Sequence, residues 1–210
     1  MNGTGINNLY WLQGGATIRV VKHELKQVLS QRPKRYVTDA RYVPSAVLIP
    51  VYQKDGQYYI LFIQRTERVK DHKGQISFPG GAYEEKDRTL VNTALREAAE
   101  EVGLKAGDTE ILGELDDMLT IGSGYIISPF VAAIPWPYQF KVDNWETEEV
   151  IEVPLSVLLD KDCIRQGTDE IDGQEITTYF YHCRDKVIWG ATARILNQFL
   201  DIIAPIIKNR

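Results

Sequence analysis

The chain has 210 residues, 44% of them hydrophobic and 25% charged, a balance that is ordinary for a globular protein and excludes broad disorder. Its formal net charge of -5 gives no electrostatic reason for nucleic acid to be the main partner. No stretch approaches the roughly 20 apolar residues that a membrane-spanning helix needs, and the first residues lack the order of a signal peptide. We therefore expect a cytoplasmic protein without membrane or nucleic-acid partners, built as a single domain over residues 1–210. A homodimer is compatible with the sequence.

The N-terminal third predicts a loose segment, a helix and a hairpin, in that order. Residues 1–16 are polar and glycine-rich, and we expect them to be loose. Residues 18–32 are predicted to form a helix, because their apolar residues recur at the spacing of one helical face. Two strand-like runs follow at residues 46–52 and 58–64, rich in β-branched and aromatic side chains. Asp55-Gly56 lies between them and is a strong signal for a hairpin turn.

The remainder of the chain alternates strands and helices without a strict βαβ period. The clearest helix is predicted over residues 90–102, closed by Gly103, and a second amphipathic helix over residues 191–203. Further strands are predicted at residues 110–115, 125–134, 150–154 and 177–182. This pattern predicts a mixed β-sheet flanked by helices, of the α/β class.

The helix over residues 90–102 carries three carboxylates within one turn. Glu97, Glu100 and Glu101 stand at positions i, i+3 and i+4 and are predicted to share one face, while the opposite face is predicted to be apolar and carries Val91, Leu95, Ala98 and Val102. Each close pair of like charges costs roughly 1–3 kcal/mol at ~5–6 Å and an effective dielectric constant between 80 and 20. A divalent cation such as Mg²⁺ would offset that repulsion, because it prefers oxygen ligands.

The alternative interpretation is a solvated acidic surface, which is common on helices. Two neighbouring features favour the metal. Gly80-Gly81, just before the helix, leaves the backbone free to approach a bound ion or phosphate. Arg96 precedes the first glutamate and can pair with a neighbouring carboxylate to fix its rotamer.

These residues resemble the signature of the Nudix family. Its second half matches in full as Arg96-Glu97-Ala98-x-Glu100-Glu101-x-Gly103-Leu104. In the first half, Gly81 is followed after five residues by Asp87, where the family usually has Glu, and eight residues instead of seven precede Arg96. This longer, Asp-containing form is similar to the coenzyme A pyrophosphatase branch. Asp87 is left with two interpretations, a helix N-terminal cap or a group in the outer shell of the site.

A second motif, upstream, resembles the same branch. It reads Arg65-Thr66-x3-Lys70-x3-Gly74-x3-Phe78-Pro79-Gly80-Gly81. The basic residues Arg65, Arg68, Lys70 and Lys73 suit a ligand that carries a diphosphate and an additional 3′-phosphate. A solvated basic loop is the alternative interpretation.

The resemblance implies a fold, a metal and a reaction. The fold would be the Nudix α/β/α sandwich with a mixed β-sheet. Mg²⁺ or Mn²⁺ would be held by Glu97 and Glu101, the firmest ligands, and by Glu100 and the Gly80 carbonyl. The reaction would hydrolyse the diphosphate of coenzyme A or acyl-coenzyme A, giving 3′,5′-ADP and (acyl-)4′-phosphopantetheine. The general base is open between Glu100, Glu146 and Glu149.

Two other functions stay open at this stage. The first is pyrophosphohydrolysis of another nucleoside diphosphate derivative, such as ADP-ribose or a dinucleotide, with the same metal chemistry. The second is a catalytically silent Nudix-fold binding module. The retention of three mutually repelling acids argues against the binding module, because a binder does not need them.

Overall fold

The structure is a computed structural model that describes residues 21–69, 72–120, 122–142, 144–171 and 174–208. The first helix, α1, is described over residues 21–31. The helix predicted over residues 18–32 is therefore confirmed over residues 21–31. The expectation for residues 1–16 lies outside the described part of the chain.

The predicted hairpin is present at the centre of the fold. β1 (Val43–Lys54) and β2 (Gln57–Arg65) are antiparallel, and Lys54 pairs with Gln57 across a two-residue turn. Asp55 and Gly56 have φ angles of 50° and 78°. Positive φ at both central residues defines the turn that matches the twist of a two-residue hairpin.

A mixed sheet surrounds this hairpin. Its remaining strands are β3 (Ile76–Ser77), β4 (Gly80–Ala82), β5 (Glu110–Glu114), β6 (Met118–Leu119), β7 (Tyr125–Ala133) and β8 (Thr147–Pro154). Within the described ranges these strands form one eight-stranded sheet with the path β3-β2-β1-β7-β5. β7 runs parallel to β1, whereas β4 and β8 pair antiparallel with β1 and β2. The predicted mixed sheet is confirmed.

Helices cover both faces of the sheet. They are α1, α2 (Leu90–Val102) and α4 (Gly190–Lys208), with a single short turn at α3 (Leu155–Leu158). Because side chains alternate along β1, Leu48 packs in the α2 layer and Ile49 in the layer of α1 and α4. The α/β/α sandwich expected from the sequence is confirmed. No helix of the described residues combines the length and the apolar character needed to cross a membrane.

A second, antiparallel sheet was predicted only in part. It consists of β9 (Ile164–Ile171), β10 (Gln174–Cys183) and β11 (Lys186–Ile188). The sequence predicted a strand at residues 177–182, inside β10. β9 was missed because its sequence, Ile-Arg-Gln-Gly-Thr-Asp-Glu-Ile, is polar and contains glycine, so its pairing with β10 supplies the structure that local propensity does not.

The buried face of α2 differs from the predicted one. Ala94 is fully buried where Leu95 was expected, and Leu95 is half-buried. Glu101 lies on the buried side with Ala98 and Val102, because positions i, i+3 and i+4 share one helical face. The three acids therefore do not form one solvated surface, and Glu101 points into the protein.

Candidate active site

The glycine pair before α2 lies against two of the predicted carboxylates. Gly80 and Gly81 pair with Val47 and Ala46 of β1, which holds their backbone at the edge of the α2 layer. A Cβ atom on Gly81 would overlap the Glu97 carboxylate, so a side chain there would force that carboxylate to move. The Gly80 N–H donates to Glu101 Oε2 at 2.9 Å.

Glu101 is a buried acid whose hydrogen bonds are incomplete among the described residues. Its side chain is 4% exposed, and its Oε1 atom has no hydrogen-bond partner within the described residues. Burial, together with the charges of Glu97 and Glu146, raises the pKa of Glu101 to about 8, although the Gly80 hydrogen bond and Arg65 act in the opposite direction. A cation bound at the unpaired oxygen would stabilise this buried carboxylate.

The charges of Glu97 and Glu146 act on Glu101. Burial raises the pKa of Glu97. Arg96 lowers this pKa, whereas the charges of Glu100 and Glu146 raise it. Glu146 precedes β8 and has a side chain that is 48% exposed. Its carbonyl accepts from the Thr66 N–H at 2.9 Å, which fixes this loop beside the end of β2. Three carboxylates from two distant segments thus influence one another.

Arg96 orients the outer carboxylates of the helix. Its Nη1 donates to Glu97 Oε1 at 2.8 Å and to Glu100 Oε2 at 3.0 Å. Its Nη2 also donates to the Ala82 carbonyl at 3.1 Å. The predicted pairing of Arg96 with a neighbouring carboxylate is confirmed, and it fixes the rotamer of Glu97 beside Gly81.

Asp87 holds Arg96 in turn. Asp87 Oδ1 accepts from Arg96 Nε at 2.8 Å, and Oδ2 accepts from Arg96 Nη2 at 3.1 Å. The Arg96 guanidinium holds the pKa of this buried carboxyl well below its usual range, and Asp87 raises that of Arg96. Asp87 does not cap α2, because Thr89 does so by accepting from Asn92 N. The other interpretation, a group in the outer shell of the site, stays a prediction.

One member of this network was missed from the sequence. Thr93 is fully buried in α2 and donates from Oγ1 to Asp87 Oδ2 at 2.9 Å. A buried threonine one turn after the helix start would have been a usable signal, because its hydroxyl needs a partner inside the protein.

Glu100 and Glu149 lie farther from this centre. The Glu100 side chain is 55% exposed and is bound by Arg96. Glu149, on β8, forms an ion pair at 2.6 Å with Lys186 of the second sheet. The structure therefore brings Glu97, Glu101 and Glu146 together, and it directs Glu100 and Glu149 to other partners.

The basic loop begins at the same place. Arg65 Nη1 lies 3.7 Å from Glu101 Oε1, and Arg65 Nη2 lies 3.8 Å from Glu146 Oε2. Arg68 is exposed and donates to the Asn144 carbonyl at 3.3 Å. Lys73 is exposed, and Gly74 has a φ of 63° with its carbonyl accepting from Gln64 Nε2. Lys70 lies outside the described residues.

The donor set fits a hard divalent cation, although the side chains are not yet gathered around one point. Over the described ranges, no three Asp, Glu, His or Cys side chains form a ready-made metal-binding group. Arg96 accounts for part of this, since it draws Glu97 and Glu100 toward itself, and Arg65 lies between Glu101 and Glu146. The unpaired Glu101 oxygen, the neighbouring Glu97 and Glu146 and the close glycine backbone are the oxygen-rich environment that Mg²⁺ and Mn²⁺ prefer.

Comparison with known proteins gives one consistent result. The family model described as the NUDIX domain matches residues 42–171. The chain is 34% identical over 166 residues to the uncharacterized Nudix hydrolase NudL of Photorhabdus laumondii, covering 79% of this chain and 87% of the relative. It is 31% identical over 183 residues to the protein of that name from Yersinia pestis, covering 85% and 91%. A solved MutT/nudix family protein from Enterococcus faecalis is similar in fold, with a TM-score of 0.52 at 15% identity over 96% of this chain and 76% of that one.

Proposed function

The chain belongs to the Nudix family of pyrophosphohydrolases, and on that premise we propose that it cleaves the diphosphate of coenzyme A or acyl-coenzyme A. The products would be 3′,5′-ADP and (acyl-)4′-phosphopantetheine. Members of this family generally use divalent cations, and we propose Mg²⁺ or Mn²⁺ at Glu97, Glu101 and the Gly80 carbonyl, with Glu146 beside them. A bound cation would offset the charge of the diphosphate and polarise its P–O bonds.

The observation that carries the substrate proposal is the junction of the basic loop with the acidic centre. Arg65, the first residue of the upstream motif, lies within 3.8 Å of carboxylates from both α2 and the loop before β8. The same loop continues through Arg68 and Lys73, which are exposed. A ligand whose diphosphate meets Arg65 would thus have further cationic groups within the same loop for an additional phosphate, as on the 3′-position of coenzyme A.

The chain's own residues divide the work of hydrolysis. Arg96, held by Asp87, fixes Glu97, and the Gly80 N–H fixes Glu101. Glu146 is proposed as the general base, because it is half-exposed and borders both acids. It would take a proton from water as the water oxygen bonds to one phosphorus, and the bridging oxygen would leave with the other phosphate. Glu100 is the alternative base, and its engagement with Arg96 makes it the weaker candidate.

A substrate panel tests this proposal. Coenzyme A, dephospho-coenzyme A, ADP-ribose and NADH are compared by kcat/KM with Mg²⁺ and with Mn²⁺. We expect coenzyme A to exceed dephospho-coenzyme A by roughly ten- to a hundred-fold, since a charge-assisted phosphate contact contributes about 1.5–3 kcal/mol. Equal values for these two would contradict the 3′-phosphate argument. A clear preference for ADP-ribose would instead assign the chain to pyrophosphohydrolysis of another nucleoside diphosphate derivative, with the metal chemistry unchanged.

A further inference from the structure

We propose that the Arg65 side chain is an exchangeable counter-ion: it neutralises Glu101 and Glu146 when the metal is absent, and it moves to the substrate's diphosphate when a divalent cation binds. The part that concerns the diphosphate rests on the proposed function. The part that concerns the cation rests on the proposed metal site at Glu101 and on the geometry of Arg65.

The first observation is that Arg65 forms ion pairs with two carboxylates but makes no hydrogen bond to either of them. Its two terminal nitrogens lie 3.7 and 3.8 Å from Glu101 Oε1 and Glu146 Oε2. These distances are too long for hydrogen bonds. The buried Arg65 Nε has no hydrogen-bond partner among the described residues, and neither does Glu101 Oε1. A half-buried guanidinium and a buried carboxylate thus lie beside each other while each keeps an unsatisfied atom, which indicates that each has another partner in the working enzyme.

The second observation is the contrast with Arg96, the other arginine of the site. Arg96 donates with good geometry to Asp87, Glu97, Glu100 and the Ala82 carbonyl. Its hydrogen-bonding capacity is largely used, so moving it would break a buried network. Arg65 has no such network, and its side chain is 22% exposed, so it can leave the carboxylates without unfolding anything around it.

The backbone of Arg65 is fixed, so that exchange would involve the side chain alone. Arg65 lies at an irregularity between β2 and β8, where the pairing shifts register after Gln64. Such bulges re-aim a side chain at the edge of a sheet. The Arg65 N–H donates to the Gln75 carbonyl at 2.9 Å, which anchors the residue at the start of the basic loop.

Arg65 and a divalent cation compete for the Glu101 carboxylate because both are positively charged. A divalent cation that shares the Glu101 carboxylate with Arg65 would be repelled by a positive charge at close range. At a separation of about 6 Å and a dielectric constant near that of water, this repulsion corresponds to about a ten-fold loss of cation affinity. The substrate's diphosphate removes the conflict, because its oxygens accept from the guanidinium in the two-point manner that Arg favours.

The test measures Mn²⁺ binding and substrate use on the same variants of the full chain. In Arg65→Gln, calorimetric titration with Mn²⁺ alone should show about ten-fold tighter binding, while KM for coenzyme A should rise by about ten-fold or more. Arg65→Lys keeps the charge, so its Mn²⁺ affinity should stay within about three-fold of the parent. Arg68→Gln is the matched control; it removes a charge from the same loop, and Mn²⁺ affinity should change by less than about two-fold, because an exposed charge is screened.

Opposite shifts in the two measurements are the signature of exchange. Unchanged or weaker Mn²⁺ binding by a folded Arg65→Gln protein would overturn the proposal, and so would Arg65→Lys binding Mn²⁺ as tightly as Arg65→Gln. If the parent protein binds no Mn²⁺ at all, the proposed metal-dependent function fails as well. If the parent cleaves ADP-ribose in place of coenzyme A, the substrate assignment alone fails, and the KM comparison is made with ADP-ribose, which also carries a diphosphate.

Discussion

The Glu101 carboxyl group is expected to destabilise the metal-free protein whenever it is ionised. Its side chain is nearly fully buried, and one of its oxygens has no hydrogen-bond partner within the described residues. Glu101→Gln removes the charge but keeps an acceptor for the Gly80 N–H, which donates at 2.9 Å in the parent protein. The variant should therefore lose metal-dependent activity and, in the absence of metal, unfold less readily than the parent.

The size and the sign of this effect follow from the pKa of Glu101. Folding raises it from 4.5 to about 8, which at about 1.4 kcal/mol per pKa unit corresponds to a penalty of up to about 5 kcal/mol. A carboxyl with a raised pKa binds its proton more tightly in the folded state than in the unfolded state. The stabilisation that the protonated Glu101 carboxyl gives the parent protein is therefore fully present below pH 4.5 and is lost as the pH rises through about 8.

Urea unfolding of EDTA-treated protein at about pH 5 and about pH 9 measures the difference directly. The advantage of Glu101→Gln in free energy of unfolding should be small at the lower pH and largest at the higher pH. Glu148→Gln, at an exposed position of β8, removes the same charge without burial and should change stability by less than about 0.5 kcal/mol at either pH. Excess Mn²⁺ should reverse the order at the higher pH, because it binds the folded parent but not the variant. If Glu101→Gln is no more stable than the parent at the higher pH without metal, the reasoning about the buried charge is refuted.

Three further predictions concern the parts around Glu101. Asp87→Ala should lower the free energy of unfolding by about 3 kcal/mol, since the half-buried Arg96 loses its two-point partner; a urea midpoint equal to that of the exposed control Glu85→Ala would contradict this. Exhaustive chelation with EDTA should abolish activity, and Mg²⁺ or Mn²⁺ should restore it, while the circular dichroism stays unchanged because both apolar layers form without the ion. Turnover that survives chelation would rule out the metal. Lys70→Ala should lower kcat/KM for coenzyme A by roughly ten- to a hundred-fold and affect dephospho-coenzyme A much less, and an equal loss for both substrates would remove the 3′-phosphate from the account.

The sequence predicted those parts of the fold that depend on short-range patterns. The Asp55–Gly56 turn and the helix that ends at Gly103 both occur as expected, because each depends on a few neighbouring residues. β9 was missed, since its polar sequence becomes a strand only by pairing with β10. The buried position of Glu101 was also missed, because a pattern that groups acids as polar places them on the solvent side of a helix.

The contacts within the candidate site were harder to predict than its members. The resemblance to the Nudix signature named Glu97 and Glu101, and the upstream motif named Arg65. Arg65 meets Glu101 and Glu146, each of which is more than thirty residues away along the chain. This contact depends on how β2, β8 and α2 pack together. Glu146 and Glu149 are equal candidates in the sequence, and the ion pair of Glu149 with Lys186 distinguishes them in the structure. Pairings of this kind are set by tertiary structure, on which local sequence carries little information.

The most direct test of the central claim is the mass of the products formed from coenzyme A with Mn²⁺ in water labelled with oxygen-18. The parent protein should release 3′,5′-ADP and 4′-phosphopantetheine, with one labelled oxygen on one of the two new phosphate groups, because hydrolysis attaches the water oxygen to a single phosphorus. Glu97→Gln, folded and at equal concentration, should release neither product. Undiminished product from Glu97→Gln, or intact coenzyme A after prolonged incubation with the parent, would contradict the claim that this site cleaves the coenzyme A diphosphate.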